Sequence, residues 1–256
     1  MADYVFLRSS PNWATFDLED SREFMRRSSL PEDAIIKFAA RWQKQFGQRY
    51  QSYREEMKSI SLKSIADTNV QVIDGSEGIQ FEDDDLIYFT DDDDWVAPKL
   101  FRRLRELPKS EDGYVWRSVY TGWLLVDTPH EPGGAPSLRL RPVNEKIYTN
   151  NYAVTGHAIN RLGLERLFEH YHAKRVYDAK QWVPHRCDEF LSVANKHPCC
   201  TVLVVFNSRV DGYLENLRDP LREFIDDLKS QQIDPKAQWI EPYLQRFIEV
   251  NEALLN

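Results

Sequence analysis

Four consecutive carboxylates, Asp91, Asp92, Asp93 and Asp94, follow directly on an apolar run in "DLIYFTDDDDWVAPKLF" (Asp85 to Phe101). Adjacent carboxylates repel one another, and a strand terminus gives them little room to separate, so solvent or a cation must relieve the cluster. Alternate residues of an extended segment point the same way, which predicts that Asp91 and Asp93 face one site while Asp92 and Asp94 face another. Two such carboxylates suit Mg²⁺ or Mn²⁺, hard cations that take oxygen ligands and fill their remaining positions with water or phosphate. The competing reading is a solvated acidic turn that favours the dipole of the helix starting after Pro98. The buried-strand character of "LIYFT" favours a site.

The elements that must position these residues alternate along the first two thirds of the chain. "DYVFLRSS" reads as a first strand, "NVQVID" as another and "LIYFT" as a third. Between the first two, Ile35, Phe38, Ala39 and Trp42 fall at helical spacing after Pro31, Glu32 and Asp33, a good helix start, and the pattern runs on through Phe46, Tyr50 and Tyr53. Gly47 marks a break or kink in it. "KLFRRLREL" restarts a helix after the aspartates. "YVWRSVYTGWLLVD" and "SLRLRPV" flank a turn-rich stretch and are expected to pair as a hairpin. "TNNYAVTGHAINRLGLERLFEHY" is expected to begin as a loop and become a helix, "CDEFLSVANKH" to form a short helix, and "CCTVLVVF" a buried strand. Beyond Phe206 two charged amphipathic helices are expected to pack on the main domain or on a second copy of the chain, which would make a homodimer.

This order predicts an α/β fold with a mixed central sheet flanked by helices and additional C-terminal helices, divided into a main domain over 1–206 and a helical extension over 207–256. Ligands in such sheets gather beyond the carboxyl ends of the strands. The aspartates fall at that kind of position.

The chain has 256 residues with 33 basic and 41 acidic ones, a formal net charge of -8, which argues against a broad cationic surface for nucleic acid. Three cysteines, two of them adjacent, make no disulfide framework, and the simplest compartment is a reducing cytoplasm. No apolar run approaches the roughly 20 residues that span a bilayer, so any membrane association is expected to be peripheral or through a partner. No cysteine stands in the setting of a nucleophile.

The stretch "LIYFTDDDDWVAPKLFRRL", a strand ending in an Asp-any-Asp motif followed by an aromatic residue and a helix, resembles the metal and nucleotide-sugar site of the GT-A fold glycosyltransferases. The resemblance spans roughly residues 84 to 200. It implies that Asp91 and Asp93 hold a divalent cation bridging the donor diphosphate, with His197 as a late metal or phosphate ligand. Arg8, Ser9 and Ser10, just after the first strand, are candidates to sit against the donor nucleotide, and Asp92 is a further donor-site candidate. "YTNNYAVTGHAINRLG" is similar to the loop and helix start that lie over donor sugar and acceptor, where Asn151 is a candidate ligand as well as a turn former. "HRCDEFLSVANKHP" is similar to the later acidic motif at a helix start, so Asp188 or Glu189 would deprotonate the acceptor hydroxyl in an inverting enzyme.

The activity so implied is transfer of a sugar from a nucleotide-diphosphate donor to a saccharide or glycoconjugate acceptor in polysaccharide or glycoconjugate synthesis. Residues 31–60 depart from the family by forming one long helical segment where alternating strands and helices hold the base. Two other readings compete. A haloacid-dehalogenase-like phosphatase would use "DDDWV" (Asp92 to Val96), but no downstream lysine motif follows and "IDD" (Ile225 to Asp227) sits in a helical pattern. A non-catalytic scaffold would keep the acidic loop as ornament or as a structural Ca²⁺ site.

Overall fold

In the computed structural model of the chain, the residues described are 2–8, 32–66, 70–73, 80–121, 142–143, 151–162, 182–195, 202 and 216–256. Among the described residues eight strands form one mixed sheet: β1 (Asp3–Arg8), β2 (Gln71–Ile73), β3 (Leu86–Asp91), β4 (Trp95–Val96), β5 (Gly113–Thr121), β6 (Pro142–Val143), β7 (Tyr152–Thr155) and β8 (His185–Asn195). Their spatial order is β2-β1-β3-β7-β5-β8-β4, with β6 added to β5. β1 runs parallel to β2 and β3, β5 runs parallel to β8, and β7 sits antiparallel between β3 and β5. Five strands therefore point one way, and Arg8, Ile73, Asp91, Thr121 and Asn195 end them at one edge of the sheet.

Five α-helices accompany the sheet among the described residues: α1 (Glu32–Ala66), α2 (Leu100–Glu106), α3 (Gly156–Leu162), α4 (Arg218–Ser230) and α5 (Glu241–Leu255), the last preceded by a 3-10 turn over Pro235–Ile240. One face of the sheet packs Val5, Leu86, Tyr88, Tyr114 and Trp116 against Leu100, Phe101 and Leu104 of α2. The other packs Phe6, Ile87, Phe89 and Tyr152 against Ala158 and Ile159 of α3. Consecutive strand residues divide between the two clusters, the period of two that a sheet covered on both faces imposes.

α1 is 35 residues long and passes straight through Gly47, where a break or kink was the expectation. Glycine inside a helix costs about 1 kcal/mol. That is outweighed by the buried stripe of Phe38, Trp42, Phe46, Tyr50, Tyr53, Met57 and Ile60, which recurs every three to four residues. The rings pack on one another, Trp42 lying 4.5 Å from Phe46 and Tyr50 stacking on Tyr53 at 5.4 Å. α4 and α5 complete this core with Leu221, Phe224, Phe247 and Ile248.

Two expectations are corrected by the strands. The segment read as a loop, "NYAVT", holds β7, whose residues fill the gap between β3 and β5. The segment read as a short helix, "CDEFLSVAN", belongs to β8, because pairing with β5 on one side and β4 on the other supplies the ladder that a helix would have to replace. Gly113 begins β5 with a φ of 137°, and a Cβ there would run into the Ala153 carbonyl of β7, so the tight β5–β7 start needs glycine. The β5–β6 pair joins Ser118 with Val143 and Val119 with Pro142 in antiparallel register, which is the described part of the expected hairpin. The rest of that hairpin and the "CCTVLVVF" run, Val202 apart, lie outside the described residues. No helix among the described residues is long and apolar enough to cross a membrane.

Candidate functional site

The extended backbone of β3 ends at Asp91, and the next residues turn. The Asp94 N–H donates to the Asp91 carbonyl at 3.2 Å, closing a four-residue turn over Asp91–Asp94. Aspartate suits such a turn because its short side chain tolerates the geometry and bonds nearby backbone. This turn corrects the pairing expected from strand alternation: a period of two ends where the strand ends. Asp91, Asp93 and Asp94 come together instead, each offering an oxygen within 4.8 Å of the others'. Asp92 is buried but stands outside that triad.

Three elements hold the turn. From α1, Ser61 Oγ donates to the Asp91 carbonyl at 3.5 Å, and Ser64 Oγ accepts from the Val96 N–H at 3.2 Å while donating to the Ser61 carbonyl at 2.7 Å. From β8, the Asn195 N–H donates to Asp94 Oδ1 at 2.8 Å and Asn195 Nδ2 donates to the Asp93 carbonyl at 2.5 Å. After the turn, β4 pairs Trp95 with Val193 of β8, and the Trp95 ring is fully buried. Ser64→Ala is expected to cost about 1–3 kcal/mol, because it strands the buried Val96 N–H without an acceptor. Denaturant titration should show that loss with an unchanged slope.

The triad fits a small hard cation. An octahedral Mg²⁺ or Mn²⁺ with ligands at about 2.1 Å places its oxygens roughly 3.0 to 4.2 Å apart, close to the 4.8 Å within which the three carboxylate oxygens lie. It is the one group of three or more His, Cys, Asp or Glu ligands that comes within such reach among the described residues.

The other expected site residues distribute as follows. Arg8 is the register partner of Asp91 on β1, so its backbone lies beside the turn. Asn151 lies one residue before β7, buried, and its Nδ2 donates to the Trp116 carbonyl at 3.0 Å while its own carbonyl accepts from the Trp116 N–H. Its amide thus serves the sheet.

Asp188 and Glu189 are not at a helix start. They lie in β8 level with Trp116 and Arg117 of β5; they stand seven and six residues before Asn195, and their β5 neighbours five and four before Thr121, roughly 15 Å along β5 at about 3.3 Å per residue. Arg117 faces Asp188 at 3.4 Å, and Arg103 of α2 donates to Glu189 at 2.5 Å, a partner that raises the Arg103 pKa. The structure does not bring this pair to the triad. Ser9, Ser10 and His197 lie outside the described residues, as do Lys196, Arg139, Arg141, Cys199 and Cys200. Cys187 in β8 is buried, and that burial pushes its thiol up, away from the reactive thiolate.

Asp94 as a member of the triad, and Ser61, Ser64 and Asn195 as its supports, had no signature in the sequence. No protein-family model matches the chain, and no curated protein matches it.

Proposed function

We propose that the chain is a metal-dependent glycosyltransferase of the GT-A type, moving a sugar from a nucleotide-diphosphate donor to a hydroxyl of a saccharide or glycoconjugate, in the cytoplasm. The observation that carries this reading is the convergence of Asp91, Asp93 and Asp94 at the carboxyl end of β3, inside a mixed sheet covered on both faces. Open α/β sheets bind their ligands beyond that edge. Mg²⁺ or Mn²⁺ held there would stabilise negative charge growing on the departing diphosphate.

What the chain's own residues contribute is position. The strand end fixes Asp91, the turn brings Asp93 and Asp94 round to it, and Ser61 and Asn195 hold the turn's carbonyls. The Arg8 backbone lies at the same edge, register partner of Asp91, beside the place the donor would occupy. Asp188 and Glu189 do not enter the reading as a base, since their distance along the sheet and their arginine partners set them apart from the reacting centre.

The haloacid-dehalogenase-like alternative gains nothing from the geometry. Its nucleophile would be Asp92, which stands outside the triad, and Ile225–Asp227 lie within α4.

The test is a thermal-shift screen of nucleoside diphosphates and nucleotide sugars with and without Mn²⁺. A nucleotide present at about a hundred times its Kd stabilises by about 2.7 kcal/mol, or about 5–10 °C for a chain of this size. The expected result is such a shift for one nucleotide, and only with metal present. A folded protein that no nucleotide stabilises under any metal condition would overturn the reading.

A further inference from the structure

We propose that Asn195, held in place by Thr121, is the positioning residue that sets the acidic turn in its metal-binding geometry; this rests on reading the turn as a divalent-cation site.

The two ends of the Asn195 amide are used in opposite senses. Its Nδ2 donates to the Asp93 carbonyl at 2.5 Å, and its Oδ1 accepts from the Thr121 hydroxyl. Its backbone N–H donates to Asp94 Oδ1 at 2.8 Å. Both residues are buried, Thr121 fully. One residue thus holds the turn at two points: a carbonyl adjoining one ligand carboxylate, and an oxygen of another. A carboxylate with one oxygen tied to an N–H has its plane fixed, and the direction of its second oxygen follows.

Thr121 and Asn195 are register partners at the carboxyl ends of the parallel strands β5 and β8. The clamp therefore refers the turn to the rigid frame of the sheet. Outer groups that orient metal ligands in this way matter for affinity nearly as much as the ligands, and losing one typically costs 10- to 100-fold. An amide meets both demands at position 195. A carboxylate there would set an oxygen against the Asp93 carbonyl oxygen, and an aliphatic side chain would leave both the Thr121 hydroxyl and that carbonyl without this partner.

The test uses the full-length protein and Mn²⁺ alone, counting free ion by its electron paramagnetic resonance signal, with the melting temperature of the metal-free protein recorded beside it. Asn195→Ala is expected to weaken Mn²⁺ binding about 10- to 100-fold, and Thr121→Val, close to isosteric but without the hydroxyl donor, about tenfold. Thr121→Ser keeps the donor and is expected to stay within about threefold of the wild type. Should Asn195→Ala fail to fold, the Thr121 pair decides. If the folded variants lose thermal stability yet bind Mn²⁺ as the wild type does, Asn195 is merely structural and the inference falls while the cation site stands. If the wild type itself binds no Mn²⁺, the reading of the turn falls and this inference falls with it.

Discussion

Asp91→Asn is expected to abolish Mn²⁺ binding and to slow metal-dependent transfer about a thousandfold, while raising the melting temperature of the metal-free protein. The two signs have one cause. Three carboxylates with oxygens within 4.8 Å of one another repel when no cation sits among them. At an effective dielectric of about 20, that repulsion leaves a net destabilisation on the order of 1 kcal/mol after side-chain relaxation and solvent screening. Asparagine removes one charge at nearly constant shape, so the empty site is relieved. With metal present the same change removes a ligand and the Lewis-acid contribution that ligand sustains. That contribution is several kcal/mol, which at 1.4 kcal/mol per tenfold gives the thousandfold loss. Melting curves of wild type and variant, each with and without Mn²⁺, check both halves. A variant that is less stable than the wild type without metal and equally stabilised by metal would mean that the aspartates form a hydrogen-bonded turn with no cation role. Stabilising an empty site by disabling it is the familiar trade between function and stability.

The parts of this fold that were legible in the sequence are those in which local pattern and tertiary fate agree. β1 and β3 carry aromatic and β-branched residues bounded by polar turns, and the stripe from Phe38 to Tyr53 keeps helical period over many turns. β7 and β8 were not legible, for different reasons. β7 has only four residues, too short for periodicity to declare itself, and its place between β3 and β5 is set by partners distant in the chain. In β8, "CDEFL" places two acidic residues side by side, as at a helix start. Between Val115 and Ser118 of its partner β5 the register shifts twice, so the alternation expected of a strand is broken where it was needed. The candidate site divides along the same line. The aspartates could be read because their charge density is abnormal anywhere, but the grouping of Asp94 with Asp91 and Asp93 depends on where the strand stops. Asn195 and Ser64 act through hydrogen bonds that reach across 102 and 32 residues of chain. No spacing rule reports those.

Trp95→Ala is expected to cost about 3–5 kcal/mol, a large share of the stability of an ordinary domain, and to lower the melting temperature by roughly 10 °C or more. The ring follows immediately on Asp94 yet belongs to the helical core: it is fully buried, stacks on Tyr243 at 6.0 Å and meets Phe247 edge-on at 5.5 Å. Removing it opens a cavity between β4 and α5 that the rigid neighbours Tyr243 and Phe247 can fill only in part. Trp95→Phe is expected to cost much less. The Trp95 indole N–H is buried with no hydrogen-bond partner among the described residues, so phenylalanine discards an unsatisfied donor along with the lost ring volume. The comparison separates packing from polarity: equal losses in the two variants would mean that the indole N–H is satisfied after all and that its bond, rather than the ring, anchors the position. The same ring links the acidic turn to the C-terminal helices, since β4 is held on one side by β8 and on the other by α5 through Trp95. Phe247→Ala, which touches no carboxylate, is therefore expected to loosen the turn as well as the core. Its signature would be faster amide hydrogen exchange at Asp94 and Val96 than at Ile87 in the middle of β3.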